Sequence, residues 1–223
     1  MVQTLAIPLT FGDDRSAIAS FEQGDGAGLA ILLPGLRYGC DRAVLNHAAK
    51  VFRSLGHGIA KLNLLYVDDA AFFGADEAAQ LFQIASDGRD IIGHLTARAP
   101  YEHIWIVGKS LGTLWMGAAF WHDRCPTDRT HAVWLTPSLL DTPLLRQMMA
   151  QDAPSLAVLG TEDPSNLPEF VDPIRSKSNI DLYMIEGADH VFAHADGPQA
   201  SRAVVTAAES VVEDWIKRKS ADF

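Results

Sequence analysis

The chain has 223 residues and a formal net charge of −10 at pH 7. A chain of this length can bury roughly 70–75% of its unfolded surface, so we expect one α/β domain over residues 1–223. With 48% hydrophobic residues, a domain of this size needs no disulfide or metal to stabilise its fold. The negative charge argues against nucleic acid or an anionic membrane as a partner, because clustered Lys and Arg bind both.

The sequence carries no sign of export or membrane insertion. Residues 1–13 lack a basic start and a long apolar run, and no segment approaches the ~18 apolar residues of a membrane span. Cys40 and Cys125 have no Cys or His neighbour at metal-binding spacing, so we expect free thiols in a reducing compartment. We therefore expect a cytoplasmic protein without membrane contact.

The first third of the chain predicts an antiparallel hairpin followed by a buried strand. Residues 2–11 and Ser16–Glu22 are strand-like and are joined by turn residues, as in an edge hairpin. Gly28–Leu33 is a continuous apolar run, which is typical of a strand covered on both faces. Asp41 is a plausible cap for the helix that follows, and Gly56 is its stop signal.

Strands and helices then alternate to the end of the chain. The predicted strands are 58–66, 104–107, 132–136, 156–160 and 180–186, and the predicted helices are 76–98, 113–121, 141–151 and a final one from Pro198. Such alternation predicts right-handed crossovers and a mostly parallel sheet of about eight strands in a three-layer α/β/α sandwich. Candidate sites should lie at the carboxyl ends of its strands.

The strand at 104–107 runs directly into Gly-Lys-Ser-Leu-Gly, a Gly-x-Ser-x-Gly pattern over residues 108–112. This pattern lets a chain turn sharply from strand to helix and hold the serine at the apex, so Ser110 is a candidate nucleophile. A phosphate-binding loop would need a glycine five residues before Gly108, where the chain has His103. The nucleophile interpretation is therefore favoured.

A serine hydroxyl needs a neighbouring base, and the base needs a group that orients it. Asp163 follows one predicted strand and His190 follows the next, so the chain order is serine, acid, histidine. Asp141, after the preceding strand, is the alternative acid. His190 and His194 have a spacing that a metal could use, but no His-Glu-x-x-His helix is present. We expect neither a metal nor an organic cofactor.

On these motifs the chain resembles the α/β-hydrolases, in particular small members without a cap domain that are related to dienelactone hydrolases. The resemblance implies an α/β-hydrolase fold with Ser110 as nucleophile, His190 as general base and acid, and Asp163 as the residue that orients the imidazole. It also implies an oxyanion hole made by the backbone N–H groups of Leu36 and Leu111.

Two departures from that family pattern concern the reaction itself. Dienelactone hydrolases have cysteine where this chain has Ser110, and many members carry His-Gly where this chain has Pro34-Gly35. Lys109 and Arg37 flank the predicted site and could either meet an anionic substrate or be solvated charges. The full set of candidate pocket residues is Arg37, Tyr38, Phe72, Phe73, Lys109, Leu139 and Phe192.

The segment between the strands at 132–136 and 156–160 is too short for a lid beyond the one predicted helix. We therefore expect an open site that takes small esters. The predicted function is a serine hydrolase that cleaves a small carboxylic ester or related acyl compound through an acyl-enzyme on Ser110. The alternative is a non-catalytic α/β-hydrolase scaffold that binds a ligand or a protein partner.

Overall fold

The computed structural model describes residues 2–12, 14–140 and 142–221. Within these residues the chain alternates strands and helices after an initial hairpin. The strands are β1 (Val2–Pro8), β2 (Ser16–Glu22), β3 (Gly28–Leu33), β4 (Gly58–Leu62), β5 (His103–Lys109), β6 (Thr130–Leu135), β7 (Ser155–Gly160) and β8 (Ile180–Ile185). The helices are α1 (Ala43–Ser54), α2 (Ala70–Gly74), α3 (Glu77–Thr96), α4 (Leu111–Trp121), α5 (Leu144–Ala150), α6 (Pro168–Ser176) and α7 (Pro198–Ser220).

The strands form one eight-stranded sheet in the order β1-β2-β4-β3-β5-β6-β7-β8. β1 pairs with β2 and β2 with β4 in antiparallel fashion, and every other neighbouring pair is parallel. The predicted hairpin and the mostly parallel sheet are thereby confirmed. The carboxyl ends of β3, β5, β6, β7 and β8 lie at one edge of the sheet, because parallel strands point the same way.

Helices cover both faces of this sheet, as the continuous apolar strand patterns predicted. Along β3 the side chains alternate: Leu29, Ile31 and Leu33 enter the core beneath α3 to α6, whereas Ala30 and Leu32 enter the core beneath α1 and α7. All residues of β3, β6 and β7 are buried. A three-layer sandwich results, because each strand face needs a helical partner to exclude water.

Several predicted boundaries are wrong for local reasons. β1 ends at Pro8 and β4 at Leu62, earlier than their apolar runs suggested. The stretch between the predicted strand at 58–66 and the predicted helix at 76–98, which we expected to be a loop, contains α2, whose N-cap Asp69 accepts a hydrogen bond from a backbone N–H. Asp41 does not cap α1, because Arg42 occupies the N-cap position. The sequence missed α6, which begins at a proline and carries a second proline inside it.

The buried face of α3 also differs in part from the one that helical spacing predicts for 76–98, which comprises Ala78, Leu81, Phe82, Ala85, Ile92 and Leu95. Phe82 was expected inside, yet its side chain is 64% exposed and packs edge-on against Phe11. The buried face instead includes Gln83 and Asp87, which apolar periodicity cannot identify.

Cys40 and Cys125 are buried free thiols, as expected. Among the residues that the structure describes, no helix combines the length and the apolar character that crossing a bilayer would require.

Candidate active site

Ser110 lies between β5 and α4 in a strained backbone conformation, with φ 50° and ψ −116°. Its N–H donates to the Leu135 carbonyl at 3.0 Å, which ties the turn to β6. A Cβ added at Gly112 would lie 2.5 Å from the Leu33 carbonyl oxygen, and one at Gly108 would lie 2.8 Å from the Gly112 carbonyl oxygen. Only glycine fits at both positions, so the motif builds the sharp turn that the sequence predicted.

The structure brings Ser110, His190 and Asp163 together in one hydrogen-bonded chain. His190 Nε2 lies 2.8 Å from Ser110 Oγ, and His190 Nδ1 lies 2.9 Å from Asp163 Oδ2. The Asp163 side chain has no exposed surface, whereas that of His190 is 32% exposed. Because a carboxylate only accepts hydrogen bonds, Nδ1–H donates to Asp163 and leaves Nε2 to accept from the serine hydroxyl.

Asp163 follows β7 in a tight turn that fixes its carboxylate. Its second oxygen, Oδ1, accepts from the Ser165 N–H at 2.8 Å, and its N–H donates to the Gly160 carbonyl at 3.3 Å. Asp141, the alternative acid and the predicted start of α5, lies outside the described residues. Of the two candidate acids, Asp163 is therefore the one whose carboxylate the structure describes beside the imidazole.

His190 lies on the loop that follows β8, and this loop is braced from within. The Asp189 carboxylate accepts hydrogen bonds from the N–H groups of Val191 and Ala193 at 2.9 and 2.7 Å. Gly187 and Phe192 have positive φ angles of 68° and 62°, and only glycine adopts such a conformation without strain. The loop turns sharply at both positions and aims the imidazole back at Ser110.

The two predicted oxyanion donors are backbone N–H groups of residues close to Ser110. Leu111 is the first residue of α4, where a helix leaves its N–H groups without internal acceptors. Leu36 lies in the turn that Gly35 and Tyr38 close by mutual backbone hydrogen bonds, and a Cβ on Gly35 would lie 3.3 Å from the Ser110 Cβ. Within the described part of the chain neither N–H donates a hydrogen bond. Their role as oxyanion donors stays a prediction.

An open cleft of about 580 Å³ lies over Ser110. Its lining comprises Gly35, Leu36, Arg37, Tyr38, Arg42, Lys109, Ser110, His190 and Val191. Arg37 and Arg42 are exposed at its rim, and neither forms an ion pair with any described residue. Sequence reasoning missed Arg42 and Val191, although each lies close in sequence to a predicted site residue.

Several candidate pocket residues belong elsewhere. Phe72, Leu139 and Phe192 are buried in the hydrophobic cores and do not line the cleft, so these predictions are corrected. Phe72 instead stacks on a neighbouring tyrosine ring, with centroids 4.1 Å apart. Phe73 is 48% exposed but also lies outside the lining. Lys109 is not a solvated loop charge: it is 1% exposed beneath the cleft.

No protein-family model matches the chain, and no curated protein matches its sequence. Solved structures do match over nearly the full length. Est1E from Butyrivibrio proteoclasticus is 12% identical with a TM-score of 0.71, covering 98% of this chain and 99% of its own. XC6422 from Xanthomonas campestris, described as an α/β serine hydrolase without lid, is 16% identical with a TM-score of 0.65, covering 96% and 94%.

The esterase Pf2001 from Pyrococcus furiosus is 12% identical with a TM-score of 0.70, covering 98% of this chain and 92% of its own. At such low identity these likenesses establish the fold alone. The chain has the α/β-hydrolase fold, as the sequence resemblance implied.

Proposed function

We propose that this α/β-hydrolase-fold chain hydrolyses a small carboxylic ester or a related acyl compound through an acyl-enzyme on Ser110. The observation that carries the proposal is the continuous chain of hydrogen bonds, 2.8 Å from Ser110 to His190 and 2.9 Å from His190 to Asp163. A hydroxyl, a base and a buried orienting carboxylate in this arrangement activate a serine for attack on a carbonyl.

In the first half-reaction Ser110 Oγ attacks the acyl carbon, and His190 Nε2 takes the hydroxyl proton. The buried Asp163 carboxylate stabilises the resulting imidazolium, and the N–H groups of Leu36 and Leu111 receive the charge on the carbonyl oxygen. His190 then gives its proton to the departing alcohol oxygen as the carbon–oxygen bond breaks. The acyl group is left on Ser110.

In the second half-reaction water attacks the acyl carbon while His190 Nε2 takes one of its protons. The tetrahedral intermediate collapses, His190 returns the proton to Ser110 Oγ, and the carboxylic acid leaves. Both half-reactions balance with one ester and one water molecule.

The open cleft supports a small or exposed acyl substrate. A volume of about 580 Å³ over Ser110 accommodates a small molecule. The described residues between β6 and β7 contain one helix, α5, of seven residues. Two of the similar solved structures are named as a serine hydrolase and an esterase, which is consistent with acyl chemistry on this fold.

Intact-mass detection of a fluorophosphonate adduct tests the proposal. The matched control is Ser176→Ala on α6, an exposed serine whose hydroxyl donates to the backbone carbonyl of Asp172. We expect one adduct on the wild type and on Ser176→Ala, and none on Ser110→Ala. A folded wild type that gains no adduct would contradict the proposal and favour the non-catalytic scaffold.

A further inference from the structure

Lys109, the residue before Ser110, is a buried lysine whose ammonium joins separate parts of the site. Its side chain is 1% exposed, and Nζ donates to the Thr136 hydroxyl just after β6. Nζ also donates to the backbone carbonyl of His190 at 2.6 Å. One side chain thus connects the residue next to the nucleophile with the loop that carries the base.

The described groups in direct contact with this ammonium are uncharged. No carboxylate of the described residues lies within ion-pair distance of Nζ, and the rings of Tyr38 and Phe192 face it at 5.3 and 5.2 Å. Burial lowers the pKa of Lys109 to about 8, although the more distant charges of Asp163 and Asp189 raise it. A buried charge without a direct counterion opposes folding, so its presence here points to a role other than stability.

Backbone strain is concentrated around the same lysine. Among the described non-glycine residues with positive φ are Ser110 at 50°, Thr136 at 39° and Phe192 at 62°. Ser110 follows Lys109 directly, Thr136 accepts its hydrogen bond, and Phe192 presents its ring to the ammonium. A positive φ is particularly unfavourable for a β-branched residue such as Thr136. Backbone strain of this kind persists only where the surrounding contacts enforce it, and it is concentrated at functional sites.

We propose that Lys109 is a positioning residue: by holding the His190 carbonyl, its ammonium fixes the imidazole between Asp163 and Ser110. The inference rests on the proposed function, since it assigns a role within the same site. Lys109 leaves almost no surface for a substrate, and it bonds to the main chain of His190 rather than to any reacting atom. It therefore acts through His190 and sets the distance from Nε2 to the serine hydroxyl.

Lys109→Met tests the role by keeping the length of the side chain and removing its ammonium. We expect kcat for p-nitrophenyl acetate to fall about 10²-fold, since a displacement of about 1 Å at a reacting group costs that much. KM should change less than about threefold, because the substrate contacts are intact. The matched control is Lys61→Met on β4, a partly buried lysine outside the cleft lining, and its kcat should equal that of the wild type.

Thr136→Val is the second variant, chosen because it keeps the side-chain shape and removes only the hydroxyl acceptor. The ammonium then loses one of its two anchors, so we expect a fall in kcat of about fivefold to tenfold, smaller than for Lys109→Met. If Lys109→Met does not fold, Thr136→Val decides. An unchanged kcat in the folded Thr136→Val variant would then overturn the proposal.

The proton NMR signal of His190 Nδ1–H gives a readout that needs no turnover. This proton is bonded to Asp163 and should appear far downfield in the wild type, and in Lys109→Met it should broaden or disappear as the imidazole moves. A signal and a kcat that both stay at the wild-type value in Lys109→Met would overturn the proposal. If fluorophosphonate fails to label the wild type, the proposed function fails, and the NMR comparison still decides whether Lys109 positions His190.

Discussion

Asp87 on α3 and Lys109 at the end of β5 are both buried charges, but their partners differ in kind. Asp87 receives two hydrogen bonds from the Arg15 guanidinium, at 2.9 and 3.1 Å, and one from the Tyr66 hydroxyl at 2.7 Å. Lys109 donates to a hydroxyl and a carbonyl, and no carboxylate of the described residues contacts it. The charge of Asp87 is neutralised by an adjacent guanidinium, whereas the charge of Lys109 is stabilised by neutral hydrogen-bond acceptors.

The difference separates a structural charge from a functional one. The Arg15–Asp87 pair joins the N-terminal hairpin to the distant helix α3. The pair has the good geometry that a buried ion pair needs to offset the cost of desolvating its two charges. The Lys109 ammonium lacks such a counterion among the described residues, and it lies among strained residues beside Ser110. In proteins, unpaired buried charges and backbone strain are typical of functional sites.

The largest expected effect lies at the reacting groups themselves. Ser110→Ala or His190→Ala should lower kcat for p-nitrophenyl acetate by roughly 10⁴ to 10⁶ while thermal unfolding changes little. Asp163→Asn should be less severe but still large, because it disturbs the tautomer of the imidazole. Retained turnover in either alanine variant would exclude the substituted residue from its proposed role, Ser110 as nucleophile or His190 as base.

Asp87→Asn should lower the stability of the fold and leave kcat unchanged. Removing one partner of a buried pair leaves the Arg15 charge uncompensated, so we expect a loss of about 3–5 kcal/mol in the free energy of unfolding. Urea unfolding measures this, with Asp172→Asn as a control whose exposed ion pair with Arg175 should contribute less than about 1 kcal/mol. A fall in kcat of folded Asp87→Asn would mean that the two buried charges do not differ in role.

Alkaline pH should move activity and stability in opposite directions through Lys109. The folded chain releases this proton near pH 8 and the unfolded chain near 10.5, so between these values the unfolded state binds more protons and the free energy of unfolding rises with pH. The gain is at most about 3 kcal/mol, since one pKa unit corresponds to about 1.4 kcal/mol. Over the same window kcat should fall, because the charge that holds the His190 carbonyl is lost.

Urea unfolding of wild type and Lys109→Met at pH 7 and pH 10 isolates this contribution. The other titratable or charged groups near the ammonium, namely Tyr38, Asp163, Asp189 and His190, are common to both proteins. The wild type should gain stability relative to the variant as pH rises. An equal change in both proteins would show that Lys109 is not the group that titrates.

The sequence predicted which residues meet in the site better than it predicted the contacts that hold them in place. Ser110 and Asp163 each follow a buried apolar strand, and His190 follows the half-exposed last strand β8. The carboxyl ends of parallel strands converge at one edge, so the approach of the three residues follows from local signals. The Gly-x-Ser-x-Gly pattern of the elbow is also recognised from adjacent residues, although the contact that requires glycine at position 112 is with the distant Leu33.

The buried charges could not be predicted in this way. A lysine is normally exposed, and Lys109 is buried at the end of β5 because the distant residues Thr136 and His190 offer it acceptors. Asp87 is likewise buried because Arg15 meets it from the first hairpin. Helical periodicity selected Phe82 instead, since it weighs apolar residues only and ignores a long-range pair.

The smallest expected effect belongs to the exposed charges at the rim of the cleft. Arg42 is exposed and has no carboxylate partner among the described residues, so it is available to an anionic substrate group. Arg42→Gln should lower kcat/KM for the mono-p-nitrophenyl ester of glutarate by about twofold to fivefold, the size of an exposed ion pair. The neutral ester p-nitrophenyl butyrate should be unaffected.

Salt and a matched variant identify the cause of that effect. Raising the salt concentration to about 0.5 M should remove most of the difference between wild type and Arg42→Gln, because exposed charges are screened. Arg202→Gln, an exposed arginine on α7 outside the cleft lining, should change neither ester. An equal loss on the anionic and the neutral ester would mean that Arg42 acts through the shape of the cleft. In that case the charge of Arg42 would have no part in substrate binding.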